Sequence, residues 1–410
     1  MALSPYLSRS SVWAASFRYR DFRFLWLSTV VQSVGMGMEF VALGWLVLDL
    51  TGSPFLVGVA SAARMAPFFF LGLVSGAVAD RVDRRVFTRW ITLVGALIAA
   101  LTALPLFLGY EHVWPIIALT VVMGSVWAFT LTLRQAYTYD IVGPEAALNG
   151  MSLTALSQRI GGVAGALVAG AIIEIAGIGT QYLAIGLCYA ASAVILLWTR
   201  DAGQAAVRTP QSVLQNLAGY VEIISKNRTL LTLMILAAIT EIFGFTHQSL
   251  LPVFAKDELG VGSVGLGIMS AFRQGGGIFG LLLLANLSSF RHKGLMIFVI
   301  AGMFGLGEMA FALGGGFIYF VFVLSLINAC AAAVDTLYKT LMQEVVPNEQ
   351  RGRAMGSWVL SIGVAPAGHM GVGALAGAFG ATRALLINGT ILLVVSILTA
   401  LVLPKIRRLP

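Results

Sequence analysis

Charge is what this 410-residue sequence has least of. Asp, Glu, Lys and Arg together make up 11% of it, and 58% is hydrophobic. A soluble domain carries about 25% charged residues. With a mean hydropathy of +0.90, the chain has too few polar groups to cover a water-facing surface. That excludes a soluble globular protein and leaves an integral membrane protein. Cysteine is scarce too. Cys188 and Cys330 both lie inside apolar runs, so there is no disulfide framework and no metal-ligand spacing. No G-x-x-x-x-G-K-[ST] phosphate loop occurs, nor any nucleophile with its base, metal cluster or cofactor loop. An enzyme is therefore not expected, and no cofactor or metal is called for. Residues 1–23 hold Arg9, Arg18, Arg20 and Arg23 but no apolar core before a small-residue cleavage site. They are expected to be a cytoplasmic tail rather than a signal peptide.

What is there is a series of long apolar runs. A helix needs about 20 apolar residues to cross about 30 Å of hydrocarbon. Twelve runs meet this: 24–49, 55–79, 86–109, 114–136, 151–175, 179–199, 229–254, 262–286, 294–313, 315–337, 354–378 and 381–404. The predicted fold is all-α, with twelve transmembrane helices in two six-helix bundles, 24–199 and 229–404. The segment 200–228 joins them, and 405–410 is a second cytoplasmic tail. Within the joining segment, Val213, Leu214, Leu217, Val221 and Ile224 recur at helical spacing. Residues 211–227 are thus expected to form an amphipathic helix at the membrane interface, with an irregular linker as the alternative.

The net charge of +8 is a topology signal. With the N-terminus inside, 21 of the 26 Lys and Arg fall in cytoplasmic segments. Only Lys256 and Arg383 fall outside, while Arg64, Arg159 and Arg273 lie within spans. No nucleic-acid partner is needed to explain the basic balance.

The two halves repeat each other weakly. DIVGPEAALNGM (140–151) aligns with EVVPNEQRGRAM (344–355) at an offset of 204. GVASAAR (58–64) aligns with GIMSAFR (267–273) at an offset of 209. Two matches at nearly one offset, joining equivalent spans, indicate a duplicated six-span unit. Such halves place a binding site between them and rock against each other.

The sequence also resembles a known family. GAVADRVDRR (76–85) is similar to the loop between spans two and three of the major facilitator superfamily, matching at Gly76, Asp80, Arg81, Arg84 and Arg85. WLVLDLTGSP (45–54), LRQAYTYDIVGPEAALNG (133–150) and VVPNEQRGRAMG (345–356) resemble its bacterial enterobactin-exporter-like branch. Three features depart from the common pattern. Asp83 stands where the family often has Gly. Arg134 lies near the cytoplasmic end of span four rather than its middle. The run RIGGVAGALVAG (159–170) has glycines but no proline. The resemblance implies the major facilitator fold and a cytoplasmic gate in which Asp80 meets the start of span eleven, near Arg351 and Arg353. The matching loop of the second half, LSSFRHKG (287–294), is basic but has no acid. Asp83 is either a second acceptor there or solvated. The glycines of 159–170 serve close helix packing, proton antiport, or both.

Ionisable residues inside spans are costly and mark pathways or partners. They are Glu39, Arg64, Arg159, Glu241, Arg273, Glu308 and Asp335, with His247 and His369. At about 1.5 Å rise per residue, Glu39 and Arg64 reach similar depth, roughly 22 and 24 Å from the cytoplasmic ends of their spans. They are expected to pair or share water. The plainer readings are a fixed ion pair that locks two helices, and an Arg64 that snorkels outward. Arg273 is the repeat partner of Arg64, and His247 falls near the position that corresponds to Glu39. Arg keeps its charge and cannot carry the proton, so Glu39 or Glu241 is the expected carrier. Arg159 is the candidate for an anionic substrate group, with hydrogen bonding to carbonyls or a helix end as the alternative. Glu308 is expected to be peripheral, and Asp335 a gate or loop contact.

The reading is a monomeric secondary transporter of the inner membrane, with both termini cytoplasmic. Its partners are a small amphiphilic molecule, protons and membrane lipids, and proton-coupled export is the expected activity. A lipid or lysolipid flippase of the same fold is the alternative. A non-transporting sensor or scaffold is a lesser one.

Overall fold

The computed structural model describes residues 15–79, 81–110, 112–201, 224–287, 290–347 and 350–409. Among them there is no strand. Hydrocarbon offers no water to backbone N–H and C=O groups, so each span must satisfy its own bonds as a helix. The first half contains α1 (Arg20–Thr51), α2 (Pro54–Ala79) and α3 (Arg84–Phe107). An 84-residue helical stretch, Val113–Leu196, follows. It breaks at Gly143 (φ 69°) and Gly177 (φ 80°), left-handed conformations that only glycine adopts readily. The breaks yield α4 (113–142), α5 (144–176) and α6 (178–196). The second half contains α7 (Arg228–Phe243), α8 (Gly262–Asn286), α9 (Lys293–Ala312), α10 (Phe317–Glu344), α11 (Arg351–Ile362 continued by Ala365–Phe379) and α12 (Ala381–Val402). All twelve predicted spans are present as helices, with ends mostly shifted by a few residues; the regular helix of the seventh stops at Phe243 rather than 254. The predicted amphipathic helix falls outside the described residues except for 224–227, of which 224–226 are helical.

Local chemistry sets the boundaries. Gly52 closes α1 in a left-handed cap (φ 59°) whose N–H reaches the Leu48 carbonyl. Pro54 then opens α2. Asp83 caps α3, its carboxylate accepting the Val86 N–H at 3.0 Å. Asp83 is also partly solvated, at 37% exposure, with Arg85 3.5 Å away. Asn227 caps α7 in the same way. Beyond Gly244, α7 degrades into a 3-10 turn (Phe245–Leu250), a short helix and a π turn (Phe254–Glu258).

The halves meet most closely at the end of the bundle distal to the chain termini. There Gly58 on α2 lies against α11, so that a Cβ on Gly58 would come 3.1 Å from the Gly373 Cα. On the opposite side Gly267 on α8 lies against α5, 3.2 Å from the Gly170 Cα by the same measure. Gly58 and Gly267 are repeat partners, so the two closures are related by the internal duplication. Lys256 Nζ binds Asp49 Oδ1 at 2.5 Å across the same end and lies over the Trp45 ring. Glu174 accepts from Ser263 at 2.9 Å, joining α5 to α8. The glycines of 159–170 are packing residues here: Gly161 and Gly165 press on α1 at Val30–Val34, and Gly170 on α8.

Candidate functional site

A cavity of about 420 Å³ lies between the halves, on the terminus side of these closures. The first half lines it with Met36, Phe40, Arg64, Met65, Trp127 and Arg159. The second half supplies Glu241, Gln248, Arg273, Asp335 and Trp358. A smaller pocket of about 50 Å³ continues toward the distal end and shares Phe40, Arg64 and Gln248 with it. His369 lines this pocket and bonds Ser249 Oγ at 2.7 Å through Nδ1.

Glu39 of α1 and Arg64 of α2 are paired. Arg64 Nε lies 3.3 Å from Oε1, and Nη2 lies 3.4 Å from Oε2. Both side chains are largely buried, at 6% and 13% exposure. Such a two-point pair fixes orientation as well as charge. Arg64 does not snorkel. Its guanidinium lies 5.3 Å from the Phe40 ring centroid and 6.0 Å from that of Trp127. On the same Phe40 ring lies Arg273 of the other half, at 4.4 Å. One phenyl ring thus stands between two arginines that are repeat partners, each in a cation–π contact. Sequence spacing gives no sign of this, because in an apolar run Phe40 reads as ordinary packing. Arg273 also donates to Gln248 Oε1 at 3.2 Å.

Of the predicted site residues, the structure brings Arg64, Arg159, Glu241 and Arg273 onto the wall of this cavity, with Glu39 buried behind Arg64. His247 goes elsewhere. Its ring turns into the second bundle, where Nδ1 is 2.7 Å from the Gly244 carbonyl and 3.5 Å from Glu308 Oε1. The cause is the helix break after Gly244: helical counting from Arg228 loses its phase there. Glu308, expected to be peripheral, is fully buried. Its oxygens have no hydrogen-bond donor among the described residues. Asp335, expected near a gate, lines the cavity while it accepts from Lys339 at 2.7 Å and from the Trp358 indole at 2.8 Å. That follows from a cavity that extends toward the terminus end, where Asp335 sits.

The loop after α2 forms part of the first half. Arg84 binds both oxygens of Asp140 at 2.7 and 2.9 Å and the Ala79 carbonyl at 3.0 Å. Arg85 donates to the Arg200 carbonyl at 2.6 Å. Arg81 is exposed. Asp80, the acid of the expected gate, lies outside the described residues, and for Gly76, Arg351 and Arg353 only the helical backbone is described. A further arginine escaped the sequence reading as a structural centre. Arg134 is 1% exposed and bonds Thr29, Ser28 and Ser192 at 2.6, 3.0 and 3.2 Å, tying α4 to α1 and α6.

Known proteins share this architecture. A family model described as "Transmembrane secretion effector" matches residues 10–409. The chain belongs to that family, within the major facilitator superfamily. It is 23% identical over 380 residues to the staphyloferrin A transporter of Staphylococcus aureus, covering 90% of this chain and 92% of that one. It is 26% identical over 414 residues to the enterobactin exporter EntS of Shigella boydii, covering 94% and 92%. Against the multidrug efflux pump Tap of Mycobacterium tuberculosis it is 26% identical over 397 residues, covering 93% of both. In fold it is similar to the nucleoside transporter NupG, with a TM-score of 0.79, 16% identity, and coverage of 93% of this chain and 100% of that one. A bacterial homologue of the lysosomal transporter Spinster, solved inward-facing and unoccupied, gives a TM-score of 0.76 at 14% identity, covering 95% and 98%. The protein is a multi-pass membrane transporter of the major facilitator kind and not an enzyme.

Proposed function

We propose that the protein exports a small organic, amphiphilic molecule across the inner membrane by alternating access, driven by proton entry. The observation that carries this reading is the cavity between the halves, closed over at the distal end by two glycine contacts, with Glu241 and three arginines on its walls and Glu39 behind Arg64. The positive-inside distribution of Lys and Arg puts both termini in the cytoplasm. The distal end is then the outer side, and on this reading substrate enters the cavity from the cytoplasm. Rocking the halves would separate Gly58 from Gly373 and Gly267 from Gly170 and open the cavity outward. The loop 76–85 would then gate the cytoplasmic side, through Asp80 against the start of α11. Glu39 or Glu241 carries the proton, since guanidinium stays charged. Each half contributes to one cavity, so the monomer, surrounded by lipid, is the working unit. The relatives named as an enterobactin exporter and a multidrug efflux pump support outward transport of small organic molecules.

Inverted membrane vesicles test this. Accumulation of a siderophore or drug should require an imposed pH gradient and collapse with a protonophore. Lipid scrambling without a gradient, with no accumulation of soluble compounds, would replace export with a flippase.

A further inference from the structure

The central cavity holds more guanidinium than its acids neutralise. Three arginines line it. Glu39 occupies Arg64. Asp335 is committed to Lys339 and to the Trp358 indole. Arg159 and Arg273 form no ion pair with a carboxylate among the described residues, and Glu241 pairs with neither. Even counted as charged, Glu241 leaves one positive charge over. Arg273 shows the deficit most clearly. Its partners are the Gln248 amide oxygen and the face of Phe40, and its Nε is buried without a hydrogen-bond acceptor among the described residues. A ring face and an amide attract a cation without cancelling its charge. A desolvated charge left without a counter-ion is costly, and an anion entering the cavity would offset that cost.

We infer that the transported molecule is an amphiphilic carboxylate, its acid group held by Arg159 and Arg273 and its apolar body lying against Met36, Trp127 and Trp358. The inference rests on the export reading and specifies its substrate class. Guanidinium matches a carboxylate at two points, which a quaternary amine or a neutral hydroxyl cannot reproduce. Arg64 is not needed for this first grip, because Glu39 already holds it.

The test uses the purified full-length protein and three probes of one shape: 1-pyrenebutyrate, 1-pyrenebutanol and the corresponding trimethylammonium compound. Binding is read as quenching of tryptophan emission by the pyrene. The acid should bind about tenfold or more tighter than the alcohol, with the trimethylammonium compound weakest. Arg159→Gln and Arg273→Gln should each shrink the acid's advantage, and the double variant should abolish it. Arg273→Lys should restore part of it. Circular dichroism establishes that each variant is folded. A trimethylammonium probe that binds as tightly as the acid would overturn the inference. So would an acid preference that survives in the folded double variant. Binding needs no gradient, so this outcome is separable from the vesicle result. Arginine-dependent acid binding with no accumulation would sink export alone, and gradient-driven accumulation with no acid preference would sink the substrate class alone.

Discussion

Replacing Gly58 with alanine should open the distal end. A Cβ there would press on the His369 carbonyl and come 3.1 Å from the Gly373 Cα. Both obstacles are backbone, so neither can swing aside as a side-chain tip would. Overpacking a close contact of this kind costs about 1–3 kcal/mol. The cost falls only on the closed arrangement, because separating α2 from α11 relieves it. The equilibrium between closed and open distal ends should therefore move roughly fivefold to 150-fold toward open. Gly267→Ala, at the repeat-related contact of α8 with α5, should act the same way, with 3.2 Å to the Gly170 Cα. Gly275→Ala is the control, since a Cβ there meets nothing within 4 Å. Spin labels at Ser53 and Arg383, one on each half, report the opening by pulsed electron resonance, in a background with Cys188 and Cys330 replaced by serine. The expected result is a new, longer distance in the Gly58 and Gly267 variants and none in the control. If Gly58→Ala is folded and its distance distribution matches the parent, the glycine contacts do not hold the distal end shut.

Three further outcomes follow from the geometry. Glu39→Gln should remove the pH dependence of vesicle uptake while the protein stays folded; pH dependence surviving in both this variant and Glu241→Gln would refute the carrier assignment. Lys256→Gln should shift the spin-label distances less than about fivefold in population, because its pair with Asp49 is 34% and 54% exposed and such pairs contribute about 0.2–1 kcal/mol; a shift larger than that of Gly58→Ala would reverse the ranking of the two contacts. Arg134→Ala should lower thermal stability by about 2–5 kcal/mol through the cavity it leaves, and Arg134→Met, which keeps most of the volume, should cost less in a thermal melt; equal losses would show that its bonds to Thr29, Ser28 and Ser192 outweigh its packing.

The sequence was informative along helix axes and weak around them. Apolar run length located all twelve spans, because hydrocarbon thickness sets a length that composition alone can meet. Rise per residue placed Glu39 and Arg64 at one depth, and they are paired at 3.3 Å. Azimuth was not readable in the same way. Nothing in an all-apolar helix says which face turns inward, so Phe40 went unmarked among its neighbours although it touches both halves of the site. Where the helix stops being regular, depth fails too. Beyond Gly244 the chain runs through 3-10 and π turns, and His247 ends on Glu308 rather than in the cavity. Asp335 sits at the terminus end, as its place in span ten implies, but its position on the cavity wall is not readable from sequence. Which residues line a transporter cavity depends on which end is open, and the conformation is a property of packing between halves that no single helix carries.

The duplication explains why the site is built as it is. Gly58 and Gly267 close the distal end, and six residues after each stands an arginine, Arg64 and Arg273. Equal spacing from equivalent contacts brings both guanidiniums to one level, where Phe40 lies between them at 5.3 and 4.4 Å. Symmetry would supply each arginine with the same partner, but it is broken there. Arg64 has Glu39, whereas Arg273 has the neutral Gln248. A symmetric site with two acids would be balanced and would hold an anion no better than a cation. With one acid, the two related arginines carry one positive charge in excess, and Arg273 is the one left without a carboxylate. In the proposed cycle, rocking the halves apart would part Arg273, on the second half, from Phe40, on the first. On that reading the broken pair would link substrate charge to the motion, since an anion bound at Arg273 would replace, in the open state, the Phe40 contact that closure supplies.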